Sequence, residues 1–203
     1  MQITIPRDYL EQARAVIVNA REQWNQIDAE KAALPEIDPV KDGLNGVERR
    51  QQEINEMEQR KAAIIDIGVQ DLAILRSNMD EYFSTKMGLN GNDLKDNMDY
   101  VLLTDKLIST PEELKEVASR HQDSLAFAKA VQIYAGHMGW IGFDQPVKDL
   151  YALATMARGF TNNYFSFCDV AIQNLSGLMA MQIANEEEIT RMAQAHGVIG
   201  MLS

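Results

Sequence analysis

The sequence has little of the material from which most chemical sites are built. Its 203 residues include one cysteine, three histidines and five prolines, and aromatic residues make up 7% of the chain. A single cysteine, Cys168, excludes an intrachain disulfide and a metal site made of several cysteines. It lies in an aromatic stretch, residues 164–168, where cysteine usually acts as a small buried apolar residue. We therefore interpret Cys168 as structural and not as a nucleophile.

The three histidines form no recognised catalytic or metal-binding motif. His121, His137 and His196 are far apart in the chain, and none has the His-Glu-x-x-His or Glu-x-x-His spacing of zinc or di-iron helices. The glycines at 136, 139 and 142 lack the strand context and the lysine of phosphate-binding loops. We predict no catalytic residue, no cofactor and no metal. An enzyme whose site is assembled on folding from dispersed histidines and carboxylates is the third functional hypothesis, after the two given below.

A basic patch and a long hydrophobic run are also missing. Thirty acidic residues against 19 Lys and Arg give a net charge of −11, which argues against nucleic acid and anionic membranes as partners. The pairs Arg49-Arg50 and Arg60-Lys61 lie among glutamates, as on a solvated helix face. The longest late uncharged run, residues 170–185, is shorter than the roughly 20 residues that span a bilayer. With no signal peptide at the start, we expect a soluble, cytoplasmic protein or one within a particle assembled there.

What the chain does contain is helix-forming sequence with a regular apolar repeat. From Leu10, apolar-type positions recur in steps of three and four, and a second series follows after a Pro/Gly linker. The first series is Leu10, Ala13, Ile17, Ala20, Trp24, Ile27, Lys31 and Leu34, and the second is Val47, Ile54, Met57, Ile64, Ile65, Leu72, Leu75, Met79 and Tyr82. Sustained strand-type alternation is absent. The sequence predicts an all-α protein with an N-terminal antiparallel helical hairpin, similar to a coiled coil.

The hairpin should occupy residues 1–90, and residues 91–203 should form a compact domain of shorter helices. We expect helices at about 6–33 and 45–87, with a non-helical linker over 34–43 and an end at Gly88–Asn92. Gly68 on the apolar side should allow a close approach or mark a kink. In the second half, Thr110-Pro111-Glu112-Glu113 predicts a capped helix start, and Gly159 should end a helix that opens near Gln145.

The apolar stripe is thin along the start of the second helix, and this suggests an interface. Only Val47, Ile54 and Met57 are large and apolar between residues 47 and 63, too few for burial on a globular core. We predict interface residues in this arm (Leu34, Val47, Ile54 and Met57) and in the uncharged C-terminal tail (Met201 and Leu202), which should dock rather than stay in water.

These features favour a non-enzymatic helical structural or assembly protein that self-associates or joins other protein subunits. A viral or prophage particle, with the chain as a head or scaffold-associated subunit, is a setting typical of such proteins. The alternative is a helical binding or regulatory module that grips a partner protein through the hairpin.

Overall fold

A computed structural model describes residues 4–87, 94, 97–121 and 124–203, without the side chains of residues 39, 41, 42, 86 and 87. Within these residues the chain contains eight α-helices and no strand, and 79% of it is helical. The helices are α1 (Arg7–Ala32), α2 (Pro39–Met87), α3 (Met98–Thr104), α4 (Pro111–Ser119), α5 (Leu125–His137), α6 (Gln145–Gln173), α7 (Leu178–Ala184) and α8 (Glu188–Ala195), followed by a 3-10 turn at Ile199–Met201. The all-α prediction is confirmed.

The chain divides into two compact units that draw on both halves of the sequence. Unit 1 comprises Met1–Arg7, Ser77–Thr161 and Ala193–Ser203, and unit 2 comprises Asp8–Arg76 and Asn162–Met192. Helices α2 and α6 each contribute residues to both units. The domain boundary predicted between residues 90 and 91 falls outside the described residues.

Unit 2 contains most of the predicted hairpin, with α1 packed antiparallel to α2, while the last part of α2, from Ser77, belongs to unit 1. Asp28 pairs with Lys61, Glu30 with Arg60 and Lys31 with Glu58, so the partners in α2 come earlier as the position in α1 comes later. The buried residues of α1 all belong to the predicted series: Leu10, Ala13, Ile17, Ala20 and Ile27. The apolar spacing therefore identified the packed face of this helix correctly.

The second half of α6 packs against the hairpin at Gly68, within unit 2. A Cβ atom added at Gly68 would lie 2.4 Å from Cδ1 of Ile172 and 3.6 Å from Cγ1 of Val16. About two helical turns further along α2, Arg76 forms an ion pair with Asp169 of α6. Of the two roles predicted for Gly68, close approach is the correct one, since the single non-helical residue inside α2 is Gly43.

The linker is shorter than the sequence predicts. Helix α2 begins at Pro39, so the expectation that residues 39–42 are not helical was wrong. Proline fits the first helical turn because its missing N–H needs no partner there, and Oδ1 of Asp38 accepts a hydrogen bond from the Val40 N–H at 3.0 Å. Gly43 then interrupts the helix with φ +62° and ψ −173°, a conformation open to glycine but strained for other residues.

Helix α6 runs straight through Gly159, where the sequence predicted an end. A glycine inside a helix costs only about 1 kcal/mol relative to alanine. The neighbouring turn buries Ala157, Phe160 and Thr161, and burying one phenylalanine side chain contributes about 2–3 kcal/mol. Tertiary packing therefore outweighs the local signal, and the helix ends only at Gln173.

Unit 1 is built on shorter helices, and the helix start predicted at Thr110 is confirmed. The Thr110 hydroxyl accepts from the Glu113 N–H at 3.3 Å, and the Glu113 carboxylate accepts from the Thr110 N–H at 3.1 Å. Asn97 caps α3 and Ser124 caps α5. A core cluster within this unit joins Leu103, Ile108, Leu114, Val117, Phe127, Val131, Tyr134, Ala135 and Phe143.

The two ends of unit 1 form a short parallel pairing that we call the terminal clasp, residues 5–7 with 201–203. The Ile5 N–H donates to the Met201 carbonyl at 2.6 Å, the Ser203 N–H to the Ile5 carbonyl at 3.1 Å, and the Arg7 N–H to the Ser203 carbonyl at 3.0 Å. Ile5 and Met201 are buried. The apolar tail thus docks, as expected, but on the N-terminal segment of its own chain.

Replacing Ile17 by Asp should lower the free energy of unfolding by about 4 kcal/mol, because the carboxylate would be buried in the fully covered seam. Asn19→Asp is the control, since Asn19 is exposed on the same helix and should change stability by less than about 0.5 kcal/mol. Urea unfolding followed by circular dichroism measures both. Equal effects of the two substitutions would contradict the seam.

The two helical glycines should respond in opposite directions to alanine. Gly68→Ala should lower the free energy of unfolding by about 1 kcal/mol, because the new methyl group overlaps buried Ile172 and overpacking outweighs the gain in helix propensity. Gly159→Ala should raise it by about 0.5–1 kcal/mol, since no atom lies within 4 Å of the added Cβ. Urea unfolding of the two variants side by side tests this, and stabilisation by both would remove the close approach at Gly68.

Candidate protein-interaction site

Helix α2 extends well beyond the end of α1 within unit 2. Because Lys31, next to the last residue of α1, pairs with Glu58, the residues of α2 from 44 to 56 lie past the end of α1. At 1.5 Å per residue this is about 20 Å of helix. The connecting segment folds back along it, since the Arg50 guanidinium donates to the Pro35 carbonyl. We call residues 33–56 the arm tip.

The arm tip carries large apolar side chains in water. Val40 is 92% exposed, Leu44 74% and Val47 41%. Among the residues predicted for an interface, Val47 is thus exposed, and Leu34 is partly buried. The other two predicted residues of the arm, Ile54 and Met57, are also partly buried.

Val40 and Leu44 were not in the predicted set. Val40 lies in the segment interpreted as a linker and Leu44 directly after it, so an apolar residue on each side of a turn glycine was the signal available. Several large apolar side chains left exposed in one short segment are typical of contact surfaces.

Ion pairs fix the alignment of the two helices behind the arm tip. The hydrogen bond from Arg60 lowers the pKa of the Glu30 carboxyl, and the hydrogen bond from Lys31 lowers that of Glu58. All four groups are exposed, so solvent screens their attraction. These pairs select one register, while the buried seam supplies the stability.

Lys61 departs from the interpretation of Arg60-Lys61 as a solvated face. It is only 7% exposed, its Nζ lies 4.3 Å from the centroid of the Trp24 ring, and it pairs with Asp28. The alkyl stem covers apolar surface while the ammonium reaches a carboxylate and an aromatic face. The prediction was correct for Arg60, whose side chain is exposed, and wrong for Lys61.

The C-terminal members of the predicted interface belong to unit 1, whereas the arm-tip residues belong to unit 2. Met201 is buried and its carbonyl is held by Ile5, while Leu202 is partly buried and bridges Ile5. Both residues thus serve the terminal clasp. The structure does not group them with Leu34, Val47, Ile54 and Met57.

A second surface in unit 1 is a groove between α3 and α5, with a volume of about 500 Å³. Its floor is apolar and includes Tyr100 and Leu103 of α3 and Ala126 and Tyr134 of α5. Ile133 also lines it and is 60% exposed. We call this surface the α3–α5 groove.

The charged side chains among the described residues that line the α3–α5 groove are basic. Lys106 and Lys129 line it together with His137, and the described lining residues include no carboxylate. Lys129 is held above the ring of Tyr151, with its Nζ 5.4 Å from the ring centroid. In a chain with a net charge of −11, this groove favours an apolar ligand that carries negative charge.

The sequence contained a weak signal for this groove. Helix α5 (LAFAKAVQIYAGH) is apolar on nearly every side, and a helix of that kind requires cover on more than one face. Met138 also lines the groove, and it is one of several exposed methionines, with Met156 and Met181.

His121 occupies the most polar setting among the histidines. Its Nε2 lies 2.8 Å from Oδ2 of Asp99, whose other oxygen lies 3.1 Å from Nη1 of Arg120. The ring packs on Phe127 with centroids 4.1 Å apart. An aspartate in this position orients an imidazole, as general bases require.

A cavity of about 370 Å³ adjoins His121 and is also lined by Ser119 and Asp149. The Ser119 hydroxyl donates to the Glu116 carbonyl at 2.7 Å, a local helix contact. None of the described hydrogen bonds connects Ser119 with His121. His121 therefore makes a hydrogen bond with Asp99 and a ring contact with Phe127 inside a cluster of helices, and no activated nucleophile lies beside it in the described part of the chain.

The other histidines lie elsewhere: His137 lines the α3–α5 groove, and the His196 ring is 5.7 Å from that of Phe160. Among the described residues, no group of three or more His, Cys, Asp or Glu side chains is placed to hold a metal ion. No described helix is both long and apolar enough to cross a membrane.

Cys168 is buried in unit 2, one helical turn from Tyr164 of the same helix. Burial raises the pKa of the Cys168 thiol to about 12, with a smaller contribution from nearby Asp169. Burial also raises the pKa of Tyr164. A thiol that keeps its proton is a poor nucleophile, which agrees with the structural role assigned to it.

Comparison with known proteins yields no match to a family model, to a curated protein or to a solved structure.

Cys168 should make the protein sensitive to alkali. The unfolded thiol ionises near pH 9, whereas the folded thiol keeps its proton until about pH 12. Its contribution to stability is therefore complete below pH 9 and is lost as the pH rises from 9 towards 12. Urea unfolding between pH 7 and 11 should show this decline, and Cys168→Ala should make it shallower. A wild-type slope in that variant would contradict the assignment.

Proposed function

We propose that this chain is a non-enzymatic helical structural protein that self-associates, with the hairpin arm forming part of the contact. A viral or prophage particle, in which the chain serves as a head or scaffold-associated subunit, is the proposed setting. That setting rests on an analogy with the general character of particle proteins, since acidic, all-helical proteins without catalytic chemistry are common in such particles.

The exposed arm tip is the observation that carries this proposal. About 20 Å of α2 lies past the end of α1, and Val40 and Leu44 stand almost fully in water there. A side chain of this size is stabilised by about 1.5–3 kcal/mol when it is removed from water. Contact with another subunit would remove these side chains from water and so provide that stabilisation, because folding of the single chain leaves them exposed.

The alternative proposal is a binding module that grips a different protein through the same hairpin. A shallow hollow of about 330 Å³ on the hairpin, lined by Gln23, Ile27, Arg60 and Ile67, favours it, because Ile67 is a further exposed apolar residue. Both proposals use the hairpin, and they differ in the partner.

Sedimentation of the purified chain distinguishes these proposals. Self-association predicts a mass above that of the monomer, and replacement of residues 33–56 by a short glycine-containing turn should reduce it to the monomer. This design keeps the Lys31–Glu58 and Glu30–Arg60 pairs, so the shortened hairpin should remain folded by circular dichroism. A monomeric wild-type chain at all practical concentrations would refute self-association and leave the binding module in its place.

A further inference from the structure

We infer that the arm tip of one copy docks into the α3–α5 groove of another copy. The inference rests on the proposed self-association and specifies its two surfaces. It makes the contact heterologous, because different patches of the two copies meet. Such contacts close into rings or continue as open filaments.

Shape and apolarity favour this pairing. The α3–α5 groove follows one face of α5 from Ala126 to His137, about 16 Å along the helix axis. Leu44 and Val47 are three residues apart on α2, the spacing with which a helix places anchors into an apolar groove.

Charge favours it as well. Lys106 and Lys129 are the two lysines at the groove, with no carboxylate among its described lining residues. The arm tip, residues 33–56, contains six acidic and three basic residues, a net charge of −3, and both Glu48 and Arg49 are exposed on it. An acidic segment with exposed apolar residues complements an apolar groove lined by lysines, and such complementarity fixes the choice and orientation of a partner.

Two variants separate the surfaces without disturbing either core. Val40→Glu/Leu44→Glu changes the arm tip, and Ile133→Glu changes the groove; all three side chains are mostly exposed. Leu178→Glu is the matched control, since Leu178 is 71% exposed on α7. Circular dichroism and thermal unfolding should give wild-type values for all of them.

The deciding experiment is complementation by mixing, followed by sedimentation velocity. The arm-tip variant keeps an intact groove, and the groove variant keeps an intact tip. Each alone should be monomeric, while the Leu178→Glu control keeps the wild-type mass. Mixing the two variants should give a heterodimer and no larger species, because only one productive tip–groove contact remains.

Three results would overturn the inference. If the groove variant assembles like the wild type while the arm-tip variant does not, self-association stands but the groove is not its partner. If both variants are monomeric and mixing restores nothing, the tip and the groove are not complementary partners. If the wild-type chain is itself monomeric, the proposed function fails and this inference fails with it.

Discussion

The absence of a side chain at Gly68 is the constraint on which unit 2 depends. Ile172 occupies the space that a methyl group at residue 68 would need, so α6 can lie directly against the backbone of α2. The buried face of α1 adds Ala13 and Ala20, which also permit a close approach. Dense packing of this kind leaves little room for change in volume. The contact at Gly68 therefore positions α6 against α2, while the ion pairs nearer the tip select the register of α1 and α2.

The hairpin changes character along its length. At one end a third helix covers the seam, and Ile17, Leu72 and Ile172 are fully buried or nearly so. Towards the tip, charged pairs replace apolar contacts, and beyond Ala32 the second helix continues past the first. The buried contacts that stabilise the hairpin are thus concentrated at one end, and the part of α2 that α1 leaves uncovered lies at the other.

Sequence reasoning succeeded where the local pattern and tertiary packing agree. The periodic series from Leu10 to Ile27 and the Thr110 capping box identified a packed face and a helix start, since both depend on residues close together in the chain. It failed at Gly159 and Lys61, where distant partners decide: buried aromatic packing carries α6 past a glycine, and Trp24 with Asp28 draws a lysine under cover. The α3–α5 groove depends on how two separate helices face each other, and the local pattern of α5 indicates only that this helix needs cover on more than one face.

The terminal clasp has a mechanical consequence. Its two segments run parallel, so a force on the start of the chain and an opposite force on its end would pull the segments past each other. The three backbone hydrogen bonds of Ile5, Arg7 and Ser203 would then be loaded together in shear and would have to break at the same moment. In an antiparallel pairing the same two forces would act at one end of the pairing, and the hydrogen bonds would break one after another. If tension acts on this chain through its ends, the terminal clasp is loaded in shear, the direction in which it resists separation more strongly.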